Sequence, residues 1–212
     1  MTAFGTAWIM SGIGSVGGPL DGPNLESLKY YTVDSNILMG IAALAAAIAQ
    51  RRVMTGKAAE VPLPVLLLKL AGTVSVTLTM LITIFFLGPT LGRIYGFFFL
   101  FAGASLFLHL LNPLAAIFVF LRYERSCRIP FRLTPVGIIP TILYAAYYVP
   151  LTFRHMVNGK IEAGYDWYGF FVFGADIWWI VVIVILLITY GITLALWRLK
   201  RGRSGPGNNP AA

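Results

Sequence analysis

Charge is what this chain lacks most. Only 11% of its 212 residues are Asp, Glu, Lys or Arg, against about 25% in a soluble domain. With 58% hydrophobic residues and a mean hydropathy of +0.80, it has too little polar surface to cover a water-facing globule. Lipid must therefore be its solvent. Cysteine is nearly absent as well. The single Cys127 excludes an intrachain disulfide framework and a cysteine metal cluster. Histidine is confined to His109 and His155, too few for a multi-histidine metal centre. Walker, GxSxG and HExxH patterns are all missing. Nothing in the sequence calls for a cofactor or a metal.

What is present is a series of long apolar runs, at 30–50, 62–87, 96–121, 135–152 and 175–197. Each is long enough, or nearly so, to cross a hydrocarbon core of about 30 Å as a helix of roughly 20 residues. The runs are continuous rather than alternating, and lipid requires each segment to satisfy its own backbone. The expected fold is an all-α polytopic transmembrane helical bundle, one integral membrane domain over 1–212. The fourth run is short and carries Pro140 and Pro150, which predicts a kink. Residues 1–20 are apolar but Gly-rich. They read as a sixth short helix, a re-entrant segment or the remnant of a longer helix. The Gly/Pro/Asn-rich stretch 202–212 reads as a disordered tail.

The sixteen Lys and Arg residues give the chain a net charge of +8. One set of alternating loops holds Arg51, Arg52, Lys57, Arg122, Arg125, Arg128, Arg132, Arg198, Lys200, Arg201 and Arg203. The other holds Lys29, Arg93, Arg154 and Lys160. This asymmetry is what the positive-inside rule predicts, with the C-terminus in the cytoplasm. It makes a nucleic-acid partner unnecessary, and membrane lipids are the expected surroundings. Lys69, inside the second run, is expected to snorkel toward the basic side.

Polar residues inside the runs are the candidate site. Pro23 fits the first turn of a helix beginning near residue 24. On such a helix Thr32, Ser35, Asn36 and Met39 of "KYYTVDSNILMG" share one face, and Asp34 points elsewhere. His109 of "LHLLNPL" falls near mid-membrane in a run starting at 96, with Asn112 and Pro113 just beyond. A buried imidazole is either a helix-to-helix clamp or a general base. Likewise Ser35 and Thr32 either bond back to their own helix or serve a site, and Asn36 either glues helices or orients a reacting group. The stripe Ser75, Thr79, Thr83 suits close helix packing. Aromatic runs such as "YAAYY" and "YDWYGFFVFG" suit an interfacial belt. Asp166 and Asp176 are expected in the outer loop, capping the fifth helix or serving the site from outside.

"KYYTVDSNILMG", with "HLLNPL" beginning 77 residues (109 − 32) after Thr32, resembles the androgen-induced integral membrane protein family and its bacterial multi-span relatives. The resemblance implies a helical bundle that hydrolyses lipid-like esters. Thr32 would be the nucleophile, His109 the base, and Ser35 and Asn36 their companions, with Asp34 and Asn112 nearby. It also implies a bacterial plasma membrane. The chain departs from that family at its first helix, which is short or missing, and in its His-to-Pro spacing. The alternative expectation is a non-enzymatic bundle: a small transporter, a channel subunit or a scaffold.

Overall fold

The computed structural model describes residues 26–95, 97–122, 129–162, 164–171 and 174–203. Among them, five helices are long and apolar enough to cross a membrane. They are α1 (Tyr31–Met54), α2 (Leu63–Leu91), α3 (Ala104–Arg122), α4 (Phe131–Arg154) and α5 (Trp178–Arg201). The expectations for residues 1–20, Cys127 and 204–212 lie outside the described residues.

Large apolar side chains cover the outside of the bundle. Ile41 and Leu44 on α1, Phe118 on α3, Leu143 on α4 and Leu187 on α5 are all more than half exposed. In water such a surface would aggregate; in hydrocarbon it is the solvated face. The chain is an integral membrane protein built as an all-α bundle.

α2 lies at the centre, packed against all four other spans. Its stripe Leu66, Leu70, Val74 and Leu78, one residue per turn, meets Phe120 of α3 and Ile192 and Leu196 of α5. α1 crosses α2 closely where Gly72 faces Met39, and a Cβ at 72 would lie 3.1 Å from the Met39 Cα. Small residues at such crossings let backbones approach when lipid offers no hydrophobic drive. α4 and α5 meet in the same way, with Gly137 against Thr193.

Two boundaries differ from expectation for identifiable reasons. The third span begins at Ala104, not 96. "FFFLF" (Phe97–Phe101) forms a 3₁₀ turn, and Gly103 then breaks the chain with φ +53 and ψ −129, a conformation costly for any residue with a Cβ. The first span begins at Tyr31, preceded by a 3₁₀ turn at Glu26–Lys29, and Pro23 lies outside the described residues. Both shifts matter for the site. Thr32 becomes the second residue of α1, and His109 the sixth of α3 instead of a mid-membrane group. In the fourth span, Pro135 sits within a 3₁₀ segment, Phe131–Ile138, and Pro140 in the first turn of the α-helix that follows.

The basic end of the bundle is tied by aromatic contacts. Lys200 is buried over the Phe120 ring at 4.4 Å, and the Trp197 indole N–H donates to the Ile129 carbonyl at 2.8 Å. Lys69 is buried within the bundle, only 3% exposed.

Candidate active site

The expected face of α1 is buried as a unit: Thr32, Ser35, Asn36 and Met39 are each 6% exposed or less. The Thr32 carbonyl accepts from Ser35 Oγ at 3.0 Å and Asn36 Nδ2 at 2.7 Å. Ser35 also shares a 3.0 Å hydrogen bond with the Thr79 hydroxyl of α2. Asn36 reaches across to α3, donating to the Leu108 carbonyl at 3.3 Å and accepting from Asn112 Nδ2 at 2.9 Å.

Local backbone explains why Leu108 is available. Phe107–Leu111 is a π-helical turn, and Asn112 N–H closes it on the Phe107 carbonyl. The next bond of that pattern would run from residue 113 to Leu108, but Pro113 has no N–H. The Asn36 amide takes the freed carbonyl, as lipid-buried backbone requires.

His109 sits in the same π turn, 6% exposed, with Nδ1 2.8 Å from the Leu100 carbonyl. A carbonyl can only accept, so Nδ1 carries the proton and Nε2 keeps a lone pair. The imidazole thus pins the 3₁₀ turn to α3. It does not line the cavity described next, and no hydrogen bond joins it to Thr32 among the described residues.

Thr32 lines a cleft between α1, α2, α4, α5 and the loop at 164–171, with an empty volume of about 780 Å³, mouth included. Its walls are mostly apolar, among them Leu78, Ile82, Val149, Val182 and Ile185. Thr79, Thr83, Thr141, Tyr144, Tyr148 and Tyr168 also line it. Asp34 belongs to a second cleft, beside Leu38, Pro140, Leu143 and Tyr147, which shares Tyr31 and Tyr144 as a wall.

The loop at 164–171 runs down α4. Thr152 donates to the Tyr165 carbonyl at 3.2 Å, Tyr148 donates to the Asp166 carboxylate, and the Trp167 indole donates to the Tyr144 hydroxyl at 3.1 Å. Those α4 partners form one stripe, one per turn. Tyr144 in turn donates to the Lys29 carbonyl at 2.6 Å, and the Lys29 ammonium lies 5.8 Å from the Trp167 ring, a cation–π distance. The two Asp166 oxygens accept from the Phe170 and Phe171 N–H groups at 3.0 and 2.9 Å. Gly169, at φ +68, closes the turn by donating to the Asp166 carbonyl. Asp166 therefore folds this loop and does not cap α5.

The turn places Tyr168 against Tyr30, Tyr144 and Tyr148. Its hydroxyl is within electrostatic range of Thr32 and Tyr144. It is buried yet meets no partner at hydrogen-bonding geometry. Burial raises its pKa above the ordinary tyrosine range, so the hydroxyl keeps its proton.

Sequence reading missed Tyr144, Tyr148 and Tyr168 as cavity residues. The available signal was the i, i+4, i+8 stripe Tyr144, Tyr148, Thr152, too polar on one side for a helix fully wrapped in lipid. No protein-family model, curated protein or solved structure matches this chain.

Proposed function

We propose that the bundle admits a lipid-like ester from the bilayer into the cavity, with Thr32 meeting its carbonyl group. One observation carries this reading: Thr32 lines a mostly apolar cleft in the wall of a lipid-embedded protein. The asymmetric basic residues support an orientation with the basic end in the cytoplasm. The resemblance to the androgen-induced integral membrane proteins extends binding to hydrolysis. Thr32 Oγ1 would attack the carbonyl carbon and the ester C–O bond would break. The leaving alcohol would take the hydroxyl proton through a base, and water would then release the acid and restore Thr32. His109 has a free lone pair at Nε2 for that proton. Since it does not line the cleft, the transfer needs a bridging water or a turn of the ring on ligand entry.

The rival reading, a non-enzymatic bundle, draws support from the interhelical hydrogen bonds of Ser35, Asn36 and Asn112, which serve as helix glue. Turnover of a long-chain p-nitrophenyl ester by the full chain in detergent separates the two. Hydrolysis is expected to fall at least about 100-fold in Thr32→Ala and in His109→Ala, with unchanged helicity. Equal rates in wild type and Thr32→Ala would remove the hydrolase.

A further inference from the structure

A second cleft opens between α1 and α4, beside the one that Thr32 lines. Tyr31, Asp34 and Leu38 face it from α1, and Pro140, Tyr144 and Tyr147 face it from α4. Each set spans two turns of a single helix face, so the two faces look at each other across the gap. Its empty volume is about 660 Å³, mouth included. Leu143, also in its wall, is 66% exposed, and Tyr147 is 49% exposed. The cleft therefore opens sideways to lipid.

Asp34 is the anomaly there. It is partly buried and within electrostatic range of Tyr31, yet the described residues give its carboxylate neither a hydrogen bond nor an ion pair. The tyrosine hydroxyls beside it are engaged elsewhere, Tyr31 with Thr141 at 2.9 Å and Tyr144 with the Lys29 carbonyl. Lys29, the nearest cation along the chain, holds its ammonium over Tyr30 and Trp167 instead. A carboxylate within a span marks a site and calls for a cation. What surrounds it is aromatic. The Tyr31 and Tyr144 rings lie 5.1 Å apart at 64°, and Tyr144 and Tyr147 lie 6.1 Å apart at 60°. Successive rings at such angles form the walls of a cage, and a ring face attracts a cation. The depth suits a headgroup. Seventeen residues (51 − 34) separate Asp34 from Arg51, which is roughly 25 Å along α1 at about 1.5 Å each. The hydrocarbon core is about 30 Å thick. With Arg51 at one headgroup level, the carboxylate stands close to the other.

We propose that Asp34 and the rings of Tyr31, Tyr144 and Tyr147 bind the ammonium group of an ethanolamine-headed phospholipid, with its acyl chain along Leu38 and Leu143. The carboxylate neutralises the ammonium, the rings add cation–π attraction, and the low dielectric at the cleft strengthens both. A lipid is the occupant this cleft selects, because its mouth faces the bilayer and the rest of its wall is apolar. A dissolved amine would meet the same carboxylate and leave that wall unfilled. The proposal stands apart from the ester reading, since neither Asp34 nor Tyr147 lines the Thr32 cleft.

The test uses the full chain in detergent and two fluorescent phospholipids with identical chains, one ethanolamine-headed and one glycerol-headed. Affinities are read by anisotropy. Wild type is expected to prefer the ethanolamine lipid by about tenfold, the scale of an ion pair joined to ring contacts. Asp34→Asn is expected to lose most of that preference, and Tyr147→Leu to reduce it to about threefold. The glycerol lipid should bind both variants within about twofold of wild type, and unchanged melting points check that both fold. Tyr147→Leu leaves the net charge of +8 as it is, so its effect is separate from general attraction of the basic chain for an anionic lipid. Wild type without the preference, or a full preference surviving in either variant, overturns the proposal. Free ethanolamine at the concentration of the lipid should leave the lipid bound. Displacement by it would make this a site for a dissolved amine and overturn the lipid as occupant.

Discussion

Two sets of polar side chains lie a single helical turn apart and behave in opposite ways. In the seam between α1, α2 and α3, Ser35, Asn36 and Thr79 are joined to backbone carbonyls and to one another. One turn above them, the Thr83 hydroxyl is buried with no hydrogen-bond partner among the described residues. Composition alone would place all four together as polar residues in apolar helices. The difference teaches that a membrane bundle uses hydroxyls and amides for two purposes, glue and site, and that hydrogen-bond satisfaction tells them apart.

The seam is where the largest effect is expected. Asn36→Leu keeps the branching of the side chain but removes bonds to Thr32, Leu108 and Asn112 together. Asn112 Oδ1 is already buried without a partner, so its whole amide would be stranded. Individual interhelical bonds in bilayers average about 0.6 kcal/mol, but an orphaned buried amide adds to that, giving an expected loss of about 2 kcal/mol. Thermal unfolding in detergent would show it. A melting point unmoved by Asn36→Leu would mean that the seam is not what holds α1 to α3.

Asp166→Ala is expected to come next, and its effect should stay local. The carboxylate holds Tyr148 and two backbone N–H groups, so losing it frees the turn that carries Tyr168. Hydrogen exchange of the 164–171 amides should quicken by one to two orders of magnitude, corresponding to about 1.4–2.8 kcal/mol of lost local protection, while amides of α2 stay protected. Exchange quickening equally across α1–α5 would show that this loop belongs to the global fold and not to the cavity alone.

The sequence made the helices legible and left the cavity hidden. Runs of apolar residues announce a lipid-facing helix directly, and four of the five spans begin and end within a few residues of expectation. The third did not, because "FFFLF" is as apolar as a span, and hydropathy does not register the turn at Gly103 that separates it from α3. The shared burial of Thr32, Ser35, Asn36 and Met39 followed from helical periodicity. Tyr168 did not, since its placement depends on a three-rung ladder between a loop and α4 that only tertiary folding creates. The same limit applies to His109: its place within an apolar run marked it as a buried imidazole, but its bond is to Leu100 in the 3₁₀ turn.

The smallest effect is the sharpest test of the contrast between glue and site, because it compares the same substitution one turn apart on one helix. Thr79→Val removes a hydroxyl that bonds both Ser35 and the Ser75 carbonyl, and is expected to destabilise by about 0.5–1 kcal/mol. Thr83→Val removes a hydroxyl that bonds nothing, replaces it with a methyl of nearly the same shape, and ends the burial of an unpaired donor. It should leave stability unchanged or raise it by a few tenths of a kcal/mol. Paired melting curves in one detergent are sufficient to read the sign. If Thr83→Val costs as much as Thr79→Val, then Thr83 is structural, the wall of the cavity is glue like the seam below it, and an unpaired hydroxyl there no longer points to a ligand.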